Sequence, residues 1–185
     1  MPEVSSFVPD RTIVLVGMMG AGKSSVGRKL ASRLSLPFFD SDVEIETAAR
    51  MSIPQFFEHY GEAEFRKGER RVIARLLDGP LHVLSAGGGS FMDTETRSLI
   101  RSRALSIWLK ADLDTLVERA TRRDNRPLLK GGDPREKMME LMVKRESLYA
   151  EADVTVPSDN RPVDETLERI LKALSAYAEK AKAAS

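Results

Sequence analysis

The residues best suited to chemistry form a glycine-rich segment near the amino terminus. It reads Gly-Met-Met-Gly-Ala-Gly-Lys-Ser over residues 17–24, between a β-branched apolar run at 12–16 and a helical pattern. Glycines at this spacing let backbone N–H groups surround phosphate oxygens, and the helix that follows adds its positive end. Lys23 would contact the β- and γ-phosphates, and the Ser24 hydroxyl would ligate Mg²⁺. The segment therefore predicts nucleotide binding rather than a turn that matches by chance.

Two carboxylates follow the second predicted strand. Asp40 and Asp42 flank Ser41 directly after Pro-Phe-Phe at 37–39, at the edge where open α/β sheets bind their ligands. One carboxylate would support Mg²⁺, and the other would accept a proton from a hydroxyl group. The alternative is that Ser41 or Asp42 caps the helix that begins near Val43. Capping alone does not require two carboxylates.

Three further segments are candidates for binding. The stretch 61–69, Gly-Glu-x-Glu-Phe-Arg-x-x-Glu, is helical and charged, and its ordinary interpretation is a solvated helix face. Three glycines at 87–89 follow the third predicted strand and form either a tight turn or a wall of backbone against a small ligand. The polar segment 121–134 is rich in arginine and has the length of a lid or binding loop.

Strand and helix patterns alternate along the chain and must position these residues. Strands are predicted near residues 12–16, 37–39, 81–84, 104–109 and 153–156, and helices near 23–34, 43–50, 53–77 in pieces, 113–122, 135–149 and 162–178. This alternation indicates an α/β fold with a parallel sheet covered by helices on both faces. A length of 185 residues predicts one domain with its core at about 12–178 and frayed ends at 1–10 and 179–185.

Composition excludes several classes of protein. The 29 basic and 28 acidic side chains leave a net charge of +1, which disfavours a nucleic-acid coat. The chain has no cysteine and two histidines, so disulfides and a cysteine nucleophile are excluded and a zinc site is disfavoured. The start of the chain lacks an apolar signal core, and no apolar run approaches the ~20 residues of a membrane helix. We expect a cytoplasmic protein that does not bind membranes.

The ordered set of motifs resembles the shikimate kinase family. It comprises the segment at 17–24, the Asp-Ser-Asp at 40–42, the stretch 61–69 and the three glycines, followed by Arg-Pro-Leu-Leu at 126–129 and Arg-x-x-Leu-Tyr at 145–149. The resemblance spans about residues 12–171. Each short motif is weak alone, whereas the ordered set is specific.

The resemblance implies a three-layer α/β/α P-loop kinase fold like that of nucleoside monophosphate kinases. Its parallel sheet would have five strands in the order 2-3-1-4-5, with a mobile lid at about 121–134. The implied reaction is the ATP-dependent phosphorylation of the 3-hydroxyl of shikimate, on the route to chorismate and the aromatic amino acids. The implied protein is a monomer that takes a small-molecule substrate and no nucleic acid.

The resemblance also implies roles for individual residues. Lys23, Asp42 and Arg126, the lid arginine, would be catalytic, and Arg119 would stack on adenine. No aspartate ends the third predicted strand, so Asp40 would replace the usual Walker-B carboxylate through Mg²⁺-bound water, while Ser24 would be the direct metal ligand. The shikimate contacts would be Asp42, Arg66, Gly88 and Arg145, and the ATP contacts Gly20, Ala21, Gly22, Lys23, Ser24, Ser25, Arg119, Arg126 and Arg161.

Two alternatives are weighed against this hypothesis. A gluconate kinase of the same fold would lack the combination of Asp42, Arg66 and Arg145. A nucleotide-dependent switch, or a P-loop protein that binds nucleic acid, would bind ATP without turnover stimulated by shikimate.

Overall fold

Five short parallel strands form the sheet of this protein. A computed structural model describes residues 7–120, 122 and 131–185 of the chain. The strands are β1 (Thr12–Val16), β2 (Phe38–Asp40), β3 (Val83–Ser85), β4 (Ala104–Lys110) and β5 (Val154–Pro157). They lie in the order β2-β3-β1-β4-β5, and every pair is parallel. The predicted sheet order is therefore confirmed.

Helices on the two faces of this sheet complete the three layers. They are α1 (Lys23–Leu34), α2 (Ser41–Ala49), α3 (Ile53–Leu77), α4 (Thr94–Arg103), α5 (Leu113–Ala120), α6 (Pro134–Tyr149) and α7 (Val163–Ala183), and a 3₁₀ turn spans Ser90–Met92. Helix α1 packs against α7, and α3 packs against α4. The predicted α/β/α fold is confirmed. Most of the predicted lid at 121–134, including Arg126, lies outside the described residues.

The core is centred on β1, which lies between β3 and β4. All five residues of β1 are buried, because the strand has neighbours on both sides and helices on both faces. A strand in that position must be apolar along its whole length, which explains its continuous β-branched run. Trp108 on β4 is also buried and stacks on Tyr149 at 5.9 Å between ring centroids. Trp108 is thus a core residue, as its place in a strand predicts.

Helices α4 and α7 differ most from the sequence prediction. The pattern does not predict α4, because Leu99 and Ile100 are its only large apolar residues. Helix α3 is broken at Gly61, whose φ of 79° is left-handed, which agrees with the prediction of a helix in pieces over 53–77. Helix α7 continues past the predicted end at Ala178 and reaches Ala183.

The carboxyl ends of the strands bring the candidate residues to one edge. The loop 17–22 follows β1, β2 ends at Asp40, and the three glycines follow β3. Asp40 and Ser85 are register partners, so the ends of β2 and β3 lie side by side. Parallel strands therefore deliver groups that are far apart in the sequence to a common site.

Candidate active site

The phosphate-binding segment forms a tight loop around its own lysine. The Nζ atom of Lys23, a buried residue, donates hydrogen bonds to the carbonyls of Gly17 at 2.8 Å and Met18 at 2.9 Å. Gly20 and Gly22 have φ values of 85° and 91°, which strongly favour glycine. A Cβ on Gly20 would also lie 2.9 Å from the carbonyl oxygen of Leu116. The loop leads directly into α1, whose positive end faces the cleft.

Oxygen atoms gather beside this loop at the ends of β2 and β3. The Ser24 hydroxyl donates to Oδ2 of Asp40 at 2.6 Å and lies 3.3 Å from the Ser85 hydroxyl. No cluster of three or more metal-binding side chains occurs among the described residues. Mg²⁺ in kinases is commonly held by one or two protein oxygens together with water and substrate phosphates. The oxygens of Ser24 and Asp40 fit that kind of site.

Asp40 also caps α2, which corrects the capping alternative. Its Oδ1 accepts the backbone N–H of Asp42 at 2.9 Å, and α2 begins at Ser41. The prediction that Ser41 or Asp42 would be the cap is wrong, because the helix begins before the expected position near Val43. The Ser41 hydroxyl instead accepts the backbone N–H of Gly87 at 2.9 Å. The Asp42 side chain is not the cap.

The three glycines provide space for the side chains around them. A Cβ on Gly87 would lie 2.8 Å from Oδ1 of Asp42 and 2.9 Å from Oε2 of Glu69. A Cβ on Gly89 would collide with the guanidinium of Arg66. None of the three glycines has a positive φ, so their role is close approach rather than an unusual backbone angle. Their backbone forms a wall against which charged side chains pack.

Arg66 lies against this wall in a pair with a buried carboxylate. Its Nη1 donates to Oε1 of Glu69 at 2.7 Å, and its Nη2 is 3.5 Å from Glu62. Burial opposes the charge of Arg66, but Glu69 and Glu62 outweigh it and raise the pKa of the guanidinium. Glu69 is 1% exposed, and burial, assisted by the charge of Asp42, raises its pKa to about 7 against the opposing effect of Arg66.

Arg145 approaches the same wall from α6. It is 5% exposed, and its Nη1 has no hydrogen-bond partner among the described residues. That atom lies 3.4 Å from the position of a Cβ on Gly88. The Tyr149 hydroxyl donates to the Gly88 carbonyl, and burial raises the pKa of Tyr149 although Arg145 opposes the shift. A buried guanidinium with an unsatisfied donor favours a bound anion.

Arg119 and Arg161 lie on the other side of the phosphate loop. Arg119 Nη1 is 3.4 Å from the Gly20 carbonyl and 3.3 Å from the Ser158 hydroxyl, and its Nη2 donates to the Asp159 carbonyl. Arg161 is more exposed and pairs with Asp159 at 3.6 Å and Glu165 at 3.4 Å. Both arginines border the cleft above the phosphate loop.

One cleft of about 440 Å³ joins these groups. Its lining residues from the predicted set are Gly20, Gly22, Lys23, Ser24, Ser25, Asp40, Asp42, Gly88, Arg119 and Arg161. Arg66 and Arg145 lie against the glycine wall of the cleft, and Ala21 is buried within the loop. The structure therefore brings together all the predicted residues except Arg126, which lies outside the described residues.

A model of the shikimate kinase family matches residues 19–175. The chain belongs to the shikimate kinase family. The curated shikimate kinase of Paramagnetospirillum magneticum is 54% identical over 167 residues, which cover 90% of this chain and 86% of that protein. The resemblance drawn from the ordered motifs is confirmed.

Solved structures agree with this family assignment. The shikimate kinase of Acinetobacter baumannii, in complex with shikimate, has a TM-score of 0.89 at 34% identity and covers 94% of this chain and 97% of that one. A gluconokinase from Sinorhizobium meliloti reaches a TM-score of 0.65 at 20% identity, covering 95% of this chain and 97% of its own. That second likeness is one of fold alone.

Sequence reasoning missed several residues of this shikimate kinase family site. The ordinary interpretation of the stretch 61–69 places Glu69 on a solvated helix face, and the family motif assigns it no contact, whereas Glu69 is buried against Arg66. Its signal was the i, i+3 spacing of opposite charges on one helix. Tyr149 belongs to a recognised motif but had no assigned contact. Ser85 and Ser158 belong to none of the motifs, and their contacts form only when the sheet is folded.

Proposed function

We propose that this protein transfers the γ-phosphate of ATP to the 3-hydroxyl of shikimate, giving ADP and shikimate 3-phosphate. The observation that carries the proposal is that a phosphate-binding loop lines a cleft whose glycine wall packs against two arginines, the half-buried Arg66 and the buried Arg145. One end suits a nucleoside triphosphate, and the other suits a small carboxylate. The membership of the chain in the shikimate kinase family supports the choice of shikimate.

The phosphate end of the cleft supports the donor half of the reaction. Backbone N–H groups from Gly20 to Ser25 would surround the phosphates, and Lys23 would neutralise charge that develops during transfer. Arg119 and Arg161 would border the adenine. Bound Mg²⁺ would supply further charge neutralisation, with Ser24 as its direct ligand and Asp40 acting through water. Arg126 is proposed to contact the phosphates.

The arginine end of the cleft supports the acceptor half. Arg66 and Arg145 would bind the shikimate carboxylate through charge-assisted hydrogen bonds, which also explains why Arg145 has an unsatisfied donor. The backbone of Gly88 would border the ring. The 3-oxygen would then attack the γ-phosphorus while the bond to the bridging oxygen of ADP breaks, and Asp42 would accept the hydroxyl proton.

A coupled assay of ADP release tests this function directly. The purified protein is incubated with ATP and Mg²⁺ in the presence of shikimate, of gluconate or of no acceptor. We expect rapid ADP release only when shikimate is the acceptor. Release that is stimulated by gluconate would identify a different sugar-acid kinase, and ATP binding without stimulated release would indicate a nucleotide-dependent switch.

The biological setting is part of the same proposal. We propose a cytoplasmic monomer that acts in aromatic amino-acid synthesis and binds neither nucleic acid nor membranes. The near balance of 29 basic and 28 acidic side chains supports the absence of nucleic-acid binding. Across the residues that the structure describes, no helix is sufficiently long and apolar to cross a membrane. Light scattering after size exclusion, over a range of protein concentrations, measures the oligomeric state.

A further inference from the structure

The outward-facing carbonyls of the phosphate loop are held by side chains. A trans peptide is planar, so each C=O and the N–H of the next residue point in opposite directions. A loop that directs N–H groups toward phosphate must therefore direct carbonyls away from it, and buried carbonyls require donors. Lys23 supplies these donors for Gly17 and Met18, and Arg119 contacts the carbonyl of Gly20. The next carbonyl, that of Ala21, is held differently.

Ser158 is the residue that holds the Ala21 carbonyl. Its hydroxyl donates to that oxygen at 2.7 Å, across 137 positions of sequence. The same hydroxyl lies 3.3 Å from Nη1 of Arg119, which has only donors to offer. The single hydroxyl proton therefore goes to Ala21, and the hydroxyl oxygen accepts from Arg119. Ser158 is 6% exposed, so bulk water does not readily replace it.

The position of Ser158 is itself fixed by the sheet. It directly follows β5, and its backbone N–H donates to the carbonyl of Lys110 on β4 at 2.8 Å. Gly22, by contrast, is a glycine with a φ of 91°, and its own sterics do little to set the orientation of its peptide. A residue that is fixed by the sheet thus holds the carbonyl of this peptide group.

We propose that Ser158 is a positioning residue for the phosphate chain of the nucleotide, acting through the Ala21–Gly22 peptide. By holding the carbonyl of Ala21 outward, it directs the N–H of Gly22 into the cleft. This inference rests on the proposed function, because it requires that phosphates occupy the loop. It assigns to the β5–α7 connection a part in holding the phosphates as well as in bordering the base.

The test compares Ser158→Ala with Ser158→Thr, which retains the hydroxyl, and with Ser102→Ala as a control. Ser102 makes a hydroxyl bond to the Leu99 carbonyl within α4, at an exposed position away from the cleft. Affinities for ATP and for shikimate are measured by titration, together with a melting curve. Inorganic tripolyphosphate, which carries no base, is measured as a competitor of ADP.

We expect Ser158→Ala to lower the affinities for ATP and for tripolyphosphate by about three- to tenfold, which is the usual effect of one lost hydrogen bond. The affinity for shikimate should be unchanged. Ser158→Thr should restore most of this loss, and Ser102→Ala should cause none. Unchanged ATP affinity in Ser158→Ala would overturn the inference. The inference would also be overturned if Ser158→Ala lost affinity for ATP but not for tripolyphosphate, or lost as much affinity for shikimate as for ATP. It would equally be overturned if Ser158→Thr failed to restore the affinity for ATP. Failure of the unmodified protein to bind ATP would instead refute the proposed function.

Discussion

At the scale of single residues, Asp40 and Asp42 are two positions apart and have different tasks. Asp40 accepts the Ser24 hydroxyl with one oxygen and caps α2 with the other. Asp42 directs its carboxylate toward Gly87 and the buried Glu69. Because the cap is supplied by Asp40, chemistry at Asp42 can be tested without disturbing the start of the helix.

We predict that Asp42→Asn lowers kcat by about 10² to 10⁴, the usual contribution of a general base, with ATP affinity unchanged. The melting temperature should remain close to that of the unmodified protein, since asparagine keeps the size of the side chain. Single-turnover phosphoryl transfer measures the chemical step, and Glu44→Gln on the same helix is the control. A retained rate would remove Asp42 from the mechanism and make Asp40 the next candidate.

Arg66 offers a second test at this scale. Lysine keeps the positive charge but loses the planar fork of the guanidinium, so we predict that Arg66→Lys weakens shikimate binding and spares ATP affinity. Complete loss of a buried charge-pair partner costs on the order of 2–5 kcal/mol, and this is the upper limit for a substitution that keeps the charge. Arg70→Lys is the matched control, because Arg70 lies one turn along the same helix and pairs with Asp93 at 2.8 Å.

Titration calorimetry with shikimate, and separately with ATP, measures both affinities. Arg145→Lys is measured in parallel, because the two arginines are proposed to share the carboxylate. Unchanged shikimate affinity in both Arg66→Lys and Arg145→Lys would contradict the carboxylate site. A loss in Arg70→Lys as large as that in Arg66→Lys would assign the effect to helix packing.

At the scale of elements, the break in α3 decides where Arg66 and Glu69 lie. Gly61 interrupts the helix with φ 79° and ψ 174°, and the segment that follows carries both residues toward the glycine wall. Gly68, on the same helix, keeps helical geometry. A Cβ at either glycine would meet nothing within 4 Å. The two positions therefore differ in backbone angle and not in available space.

We predict opposite effects for alanine at these two glycines. Gly61→Ala should lower the free energy of unfolding by about 1–2 kcal/mol, because alanine is strained at a positive φ. Gly68→Ala should raise it by about 0.4–1 kcal/mol, since alanine has the higher helix propensity. Urea unfolding of both variants measures the change. A stabilising Gly61→Ala would mean that the break is not required by the fold.

Elements whose signal is local were predictable from the sequence. The run 12–16 and the phosphate loop lie next to each other in the chain, so pattern and motif sufficed for β1 and the start of α1. Helix α4 has a polar sequence, and its stability comes from contacts that no pattern displays. The Asp93 side chain caps α4 while it binds Arg70 from α3, which joins two elements that are distant in sequence.

At the scale of the whole molecule, Glu69 couples the acidity of the medium to folding. Burial raises its pKa from 4.5 to about 7, so the folded state holds this proton more tightly than the unfolded state does. Its contribution to stability is therefore complete below about pH 4.5. That contribution declines as pH rises, and the decline ends once pH passes about 7.

We predict that the free energy of unfolding of the unmodified protein, relative to Glu69→Gln, falls between pH 5 and pH 7.5. The fall over this window should be on the order of 2 kcal/mol, because a shift of one pKa unit corresponds to about 1.4 kcal/mol and part of the loss lies below pH 5. Urea unfolding at several pH values measures the difference, which cancels the titration of groups common to both proteins. If the free energies of unfolding of the two proteins changed in parallel with pH, the pKa of Glu69 would not be raised by folding.

The site as a whole was only partly accessible from the sequence. Asp42, Arg66 and Arg145 could be predicted because each lies in a motif, and the order of these motifs along the chain identifies the family. The contacts of Ser158 with Ala21, and of Asp40 with Ser85 across the sheet, depend on strand order and register. Such contacts join residues that no spacing rule connects, so they appear only once the chain is folded.

The glycine wall also bears on how this enzyme can change under selection. An inhibitor that contacts the backbone of residues 87–89 meets a surface with no side chain to alter. A Cβ on Gly87 would lie 2.8 Å from the Asp42 carboxylate, and one on Gly89 would displace Arg66. A side chain added at Gly87 or Gly89 to exclude such a compound would thus also disturb a residue proposed to act on shikimate. We therefore expect resistance substitutions at these two glycines to lower the rate of phosphorylation of shikimate.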